Sequence, residues 1–176
     1  IILSTEESYG FAGFYKQAKL GNLKNGTHVI ILNDGHADVQ IELIKDFSQY
    51  SIEKLKSYVD TFLMQYSDPL PEIDDAVRNA KEKGAIFLAK INGEVQGITI
   101  LVHTGFETFL PTYHLAYIGT HKGRKGRGIA SSLINEVIQF SKGKVSLHVD
   151  LDNKRAKKLY EKFGFKHKYN RMIYTP

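Results

Sequence analysis

Residues Tyr113 to Phe140, YHLAYIGTHKGRKGRGIASSLINEVIQF, hold the groups best spaced to do chemistry. An apolar run ends in a short turn carrying Lys122, Arg124, Lys125 and Arg127, with Gly123, Gly126 and Gly128 interleaved. A helix then opens, with Ala130, Leu133, Ile134, Val137 and Ile138 on one face at the 3.6-residue period. Glycines let a backbone curl close to a ligand, and the free N–H groups of a helix's first turn point out of it. The helix dipole and the cations favour negative charge at the same place. The chemistry is that of an anion site, suited to a phosphate or pyrophosphate. Its bland alternative is a solvated basic turn before an ordinary helix.

Spacing narrows the ligand. GxGxxG is absent, because Gly126 and Gly128 are followed at the last position by Ser131, and no Gly-Lys-Ser/Thr forms a P-loop. What fits is K-x-x-G-x-A, from Lys125 through Gly128 to Ala130. This resembles the R/Q-x-x-G-x-G/A signature of the GNAT family of N-acetyltransferases, with Lys125 where Arg or Gln is usual. The resemblance implies that backbone N–H groups from Lys125, Gly126, Arg127, Gly128, Ile129 and Ala130 hold the pyrophosphate of acetyl-CoA. Arg124, Lys125 and Arg127 would add charge, toward a 3′-phosphate among other sites.

Composition sets the outer bounds. The chain of 176 residues, 42% hydrophobic and 24% charged, suits one ordinary domain with an appendage and a real core. No apolar run approaches the roughly 20 residues that span a bilayer, so no membrane partner is expected and a cytoplasmic protein is the default. Zero cysteines exclude disulfides, thiolate metal sites and cysteine nucleophiles. The net charge of +5 suits a polyanionic ligand and would also suit nucleic acid. Its cations, however, cluster at the turn and along Lys154–Lys158 rather than over an extended face, so no nucleic-acid partner is expected.

The turn needs a scaffold, and the chain supplies one in order. Val39–Ile44 alternates into a strand. Ser51 to about Tyr66 reads as a helix, broken at Ser67-Asp68-Pro69-Leu70-Pro71, and Glu72–Lys83 as a second helix ended by Gly84. Ala85–Ile91, the turn Asn92-Gly93 and Gln96–His103 read as a hairpin. Gly105–Pro111 is a loop, and Tyr113–Thr120 is the strand entering the phosphate turn. After the long helix come a strand at Val145–Val149, a helix from Asn153 to Phe163, and two short strands near Phe165–Tyr169 and Arg171–Tyr174.

The order β-α-α-β-β-β-α-β-α-β from Val39 onward is that of the same family. Its second signature, N-x-x-A-x-x-L-Y-x-x-x-G-F, is matched at Asn153, Ala156, Leu159, Tyr160, Gly164 and Phe165. The similarity spans about residues 38 to 175. It implies an α/β (α+β) fold with a mixed, mostly antiparallel central sheet and flanking helices, here with an N-terminal helix–strand extension. It also implies that the strands before and after the turn splay apart to admit the pantetheine arm. Backbone groups at Ile118 and Thr120 would lie beside that arm, with Leu147 to Val149 opposite and Asn153 near the mouth. Asn153 also fits a helix N-cap, and the two roles are compatible.

Tyr160 is the catalytic candidate. A phenol with pKa near 10 is protonated at neutral pH and can donate to a departing thiolate. Helical spacing puts Ala156, Leu159 and Phe163 on the core face and Tyr160 at its margin, where the plain reading is a packed tyrosine. The base is less legible. Family members often carry a Glu on the strand before the turn, whereas this strand offers His114 and Tyr117. His114 is the base candidate, with Glu107, His148 or a water relay as alternatives. His103, His114 and His121 have no metal-ligand spacing, so no metal is expected.

The first 37 residues stand apart. Ser4 and Glu7 have capping-box spacing before a helix expected from about Glu6 to Leu20, and Thr27–Leu32 reads as a strand. Gly21-Asn22-Leu23-Lys24-Asn25-Gly26 and the following Asp34-Gly35-His36 resemble the C-terminal end of fold-type II pyridoxal-phosphate enzymes of the threonine-synthase group. Asp34 stands where that group has Ser or Thr, and no Schiff-base lysine region is present. The resemblance implies that residues 1–37 are the tail of a fused pyridoxal-phosphate enzyme, and 38–176 the acetyltransferase domain. The alternative is an ordinary helix–strand extension packed on the main domain.

Together these readings lead to an N-acetyltransferase using acetyl-CoA as co-substrate. The acceptor would be a primary amine of a small molecule, such as an amino acid or diamino acid if the fusion holds. An antibiotic, a polyamine or a protein N-terminus is not excluded. A homodimer is a further expectation. The competing reading is a non-catalytic acyl-CoA-binding module regulating the fused enzyme. Gly128→Glu puts a side chain and a negative charge into the pyrophosphate turn. It should abolish acetyl-CoA binding by calorimetry while leaving the folded circular-dichroism spectrum, and unchanged affinity would mean the coenzyme binds at another loop.

Overall fold

A computed structural model describes residues 18–21, 27–32, 39–124 and 128–174. Among these, seven strands form one sheet in chain order. They are β1 (Ala18–Gly21), β2 (Thr27–Leu32), β3 (Gln40–Leu43), β4 (Ala85–Ile91), β5 (Glu94–His103), β6 (Tyr113–Thr120) and β7 (Val145–Leu147). Every neighbouring pair is antiparallel except β6 and β7, which run parallel. The helices are α1 (Ile52–Leu63), α2 (Leu70–Glu82), α3 (Ile129–Ser141) and α4 (Lys154–Lys162).

Local chemistry accounts for most of these boundaries. Ser51 caps α1 alone, its Oγ accepting the Lys54 N–H at 3.1 Å. The helix passes through a left-handed Met64 into a 3-10 turn, Met64–Tyr66. Helix α2 begins at Leu70, earlier than the expected Glu72, because Pro71 in a first turn lacks only an N–H that would have no partner there. The β4–β5 hairpin turns on Asn92 and Gly93, both at positive φ, as a tight I′-like turn requires. Strand β5 starts at Glu94 rather than Gln96, since Gln96 is an extra residue between the Ala89–Gly97 and Lys90–Val95 pairs.

Both faces of the central strands are covered, so β4 and β5 read as continuous apolar runs. On one face Leu55, Val59, Ile73 and Val77 of α1 and α2 pack with Ile86, Leu88, Ile98 and Ile100. On the other, Ile129, Leu133, Ile134 and Val137 of α3 and Tyr160 of α4 pack with Phe87, Ala89, Leu101 and Leu115. Full burial of each such aliphatic side chain stabilises the fold by about 1.5–3 kcal/mol before conformational entropy is counted.

Two expectations are corrected. Residues Ala18–Leu20 are not the end of a helix but part of β1, paired with β2 from Ala18–Leu32 to Gly21–Val29. Pairing along a sheet edge outweighs the weak helical preference of so short a segment. The rest of that expected helix, with Ser4 and Glu7, lies outside the described residues. No strand forms at 165–169 or 171–174. Tyr169, Met172, Ile173 and Tyr174 are all exposed, and a short hairpin without a face to bury is marginal in water. The extension otherwise joins the main sheet, β2 pairing with β3 from Thr27–Glu42 to Val29–Gln40.

Gly119 of β6 is where α1 approaches the sheet most closely. A Cβ there would lie 2.7 Å from Phe62 Cβ and 3.1 Å from its backbone carbon. Gly119→Ala should therefore destabilise the protein by about 1–3 kcal/mol. Urea unfolding measures this, and an unchanged midpoint would show that α1 is not held against β6.

Candidate active site

The site begins with one unpaired residue. Along β6, Tyr117 pairs with Ile100 and Leu115 with Leu101, so Ala116 is a bulge opposite no residue of β5. A bulge bends and twists its strand. Here it also inverts the alternation of faces: Leu115 belongs to the α3 side, whereas Tyr117 belongs to the α1–α2 side. The Tyr117 carbonyl accepts a 2.9 Å hydrogen bond from the fully buried Thr99 hydroxyl.

The parallel β6–β7 ladder ends at the same level. Tyr113–Val145, His114–Ser146 and Leu115–Leu147 are paired, and β7 ends at Leu147 while β6 runs on to Thr120. The second half of β6, with Ile118 and Thr120, thus has no β7 partner along this edge. Ile118, Leu147 and Val149 all pack at the edge of the α3-side core.

At the far end of β6 the chain turns through a 3-10 segment, Lys122–Arg124, where the His121 ring accepts the Gly123 N–H at 3.2 Å. Gly128, left-handed at φ +74°, is the N-cap of α3. No side chain caps this helix, and its first turn holds no acidic residue. The amides of Ile129 and Ala130 therefore open α3 with the partial positive charge of its dipole uncompensated by a carboxylate. Ile129 is buried and fixes the helix start in the core. Lys125, Gly126 and Arg127 lie outside the described residues, as does the Arg124 side chain.

Asn153 is the N-cap of α4, its Oδ1 accepting the Ala156 N–H at 3.1 Å. Tyr160 is the most buried residue of this helix rather than one at the margin of its core face, which Ala156, Leu159 and Phe163 only partly share. It is 8% exposed and meets the Phe165 ring edge-on at 5.8 Å. Burial pushes its phenol up to about 12, so it keeps its proton through the neutral range.

His114 lies in the paired half of β6, just before the bulge. Its Nδ1 is 3.0 Å from Ser146 Oγ, and its ring is 4.5 Å from that of His148. The Arg171 guanidinium donates to His148 Nδ1 at 3.2 Å. Burial, followed by the neighbouring His148 and Arg171, lowers His114 to about 4 and leaves it neutral at pH 7. Glu107 lies elsewhere: it accepts from Thr112 Oγ1 at 3.3 Å, at the opposite end of β6 from its unpaired edge. His121 stacks edge-on with Phe62, and His103 with Tyr113. Among the described residues, no three His, Asp or Glu side chains are placed to share a metal.

Sequence reading did not find the cleft beside Tyr117. The Tyr117 hydroxyl donates to Asp68 Oδ2 at 2.8 Å, which ties the α1–α2 loop to β6 just past the bulge. A cleft of about 500 Å³ lies there, lined by Gln65, Tyr66, Ser67, Asp68, Asp150 and Asp152. One wall is the α1–α2 loop and the other is the segment between β7 and α4. Asp68 sits in a polar helix break and Asp150 and Asp152 beside an N-cap, each of which has a sufficient local explanation. Nothing in the linear chain signals that they meet.

Comparison with known proteins agrees with this geometry. Residues 53–165 match the model of the acetyltransferase (GNAT) family. The fold is similar to that of an aminoglycoside N-acetyltransferase, AAC(6′)-Iy, in complex with CoA. That match has a TM-score of 0.62 and 15% identity, and covers 82% of this chain and 99% of the other. An aminoglycoside acetyltransferase from an uncultured soil metagenomic sample matches at TM-score 0.57 and 15% identity, over 78% and 96% of the two chains. An IAA acetyltransferase from Bacillus cereus matches at 0.54 and 23%, over 71% and 75%. With a family match over more than half its length, the chain belongs to the GNAT family of acetyltransferases.

Proposed function

We propose that the protein transfers the acetyl group of acetyl-CoA to a primary amine of a small molecule. The observation that carries this reading is the end of the β6–β7 pairing after Leu115 and Leu147, before a helix opened by a left-handed glycine. The unpaired edge of β6 suits a narrow thioester arm, and the turn suits its pyrophosphate. We assign coenzyme contacts to Arg124, Lys125, Gly126, Arg127, Gly128, Ile129 and Ala130, to the backbone at Ile118 and Thr120, and to Asn153 and Tyr160.

The reaction needs few side chains. The amine nitrogen attacks the thioester carbonyl carbon, the C–S bond breaks, and the nitrogen loses a proton. Tyr160 donates its hydroxyl proton to the departing sulfur and regains one from solvent. A buried phenol that stays protonated is suited to this, because the low-dielectric surroundings that hold its proton also disfavour a bare thiolate. His114 is the imidazole carried by β6 and is neutral, so it has a lone pair to take the amine's proton directly or through water. A base lowered to about 4 is a weak one, and the amine must reach it already largely deprotonated.

A second reading, a non-catalytic acyl-CoA sensor attached to a pyridoxal-phosphate enzyme, is favoured by the lack of any carboxylate on β6. An amino acid or diamino acid acceptor, supplied by that enzyme, belongs with the fusion, and both rest on residues 1–37 alone. A thiol-release assay over a panel of amines separates the readings. Acetyl-CoA binding without turnover on any amine would support the sensor and sink the enzyme.

Two variants test the assigned roles. Tyr160→Phe keeps the packing and removes the proton; kcat should fall about 10²-fold or more with acetyl-CoA affinity unchanged. Equal rates would remove Tyr160 from the acid role. For His114, the sign follows from its lowered pKa. Between pH 6.5 and about 4 the unfolded chain takes up a proton that the folded one refuses, so stability falls as pH drops through that window. His114→Gln should flatten this loss in urea titrations, and, if His114 is the base, should also erase an acid limb of kcat/KM near pH 4. An unaltered limb would assign the proton to water.

A further inference from the structure

Resting on the acetyltransferase reading, we propose that the Ser132 hydroxyl is a further coenzyme-binding group, donating a hydrogen bond to a pyrophosphate oxygen held at the start of α3. Ser132 is 0% exposed. Among the described residues, its Oγ is the one buried side-chain oxygen or nitrogen without a hydrogen-bond partner. An unbonded buried hydroxyl costs stability, and folded proteins seldom keep one without a use for it.

Helix geometry places that hydroxyl. Ser132 lies one turn after Gly128, the N-cap, and its N–H bonds the Gly128 carbonyl at 2.9 Å. Every Cα–Cβ bond of a helix tilts toward the N-terminus, so the Ser132 side chain lies over the Gly128–Ile129 turn rather than toward the middle of α3. Gly128 is itself only half-buried, and it brings no side chain between that hydroxyl and the surface. A serine inside a helix can return its hydroxyl to the carbonyl four residues back, and Ser132 makes no such bond. The neighbouring Ser131 is half-exposed and can bond water, so it makes no comparable demand.

The ligand chemistry follows from what surrounds the group. The Ile129 and Ala130 amides open the same helix end, and no acidic residue stands in its first turn. At the positive end of a helix dipole the favoured occupant is an anion, and to an anion a hydroxyl can only donate. Hydrogen bonds to ionised acceptors are about twice as strong as neutral ones. Here no internal bond has to break first, so the new bond goes wholly into affinity. A single χ1 rotation re-aims a serine hydroxyl, which lets Ser132 meet a phosphate seated on the turn.

The test uses the full chain with acetyl-CoA and with dephospho-CoA, which keeps the pyrophosphate and lacks the 3′-phosphate. Ser132→Ala removes the hydroxyl and little else. Its affinity for both ligands, by calorimetry, should fall by the same factor, roughly tenfold or more. In urea without coenzyme its midpoint should be equal to or above that of wild type, since Oγ has no bond to lose. A lowered midpoint would show that the protein or a buried water already holds the hydroxyl, and would overturn the proposal. A loss confined to acetyl-CoA would assign the hydroxyl to the 3′-phosphate and overturn it as well. Unchanged affinity for both ligands would overturn it while the coenzyme reading stands; no binding of acetyl-CoA by wild type would overturn that reading too.

Discussion

The rest of the structure depends on the bulge at Ala116. One residue without a partner on β5 turns the second half of β6 over, so that Leu115 and Tyr117, two apart in the chain, enter different cores. At the same level the pairing of β6 with β7 ends, after three paired residues. A continuous parallel ladder would place neighbouring strands about 4.8 Å apart and leave no room between them. With the ladder ended, the β7-facing edge of β6 past Leu115 is left without a strand partner. The buried Thr99 hydroxyl satisfies the Tyr117 carbonyl, so the irregularity does not leave that acceptor unpaired.

Two regions beside β6 use different physics. The start of α3 relies on backbone, with a glycine able to adopt φ +74° and an uncapped first turn, and α4 adds one buried phenol. Such groups are fixed by the fold and require little reorganisation when charge develops. The cleft beside Tyr117 instead gathers side-chain charge from two segments that meet only in space.

Cores on both faces hold the two sides in register. Helix α1 presses so closely on β6 that Gly119 has no space for a Cβ, and α3 is seated through Ile129 against Gly97. His114, one pair before the end of the β6–β7 ladder, meets His148 just past β7, and Ser146 and Arg171 bond to the two rings. The paired half of the two strands is therefore a fixed base for the unpaired half of β6.

From sequence alone, the helix N-terminus after Gly128, the hairpin at Asn92-Gly93, the α1 and α2 segments and the Asn153 cap were all legible. Each depends on residues within a few positions of one another: a cap bonds three residues on, a turn closes over four, an amphipathic face repeats every 3.6 residues. What the sequence left open depends on partners distant in the chain. Ala18–Gly21 became a strand because β2 was there to pair with it, and Phe165–Tyr174 did not, because no sheet edge paired with it. Alternation along β6 gave no sign of the inversion at Ala116, since a bulge is defined by the register of two strands. Asp68, Asp150 and Asp152 looked like loop and cap residues until folding set them around one cleft. Local hydrogen bonding and periodicity are written along the chain, whereas register and the meeting of loops exist only once the sheet has formed.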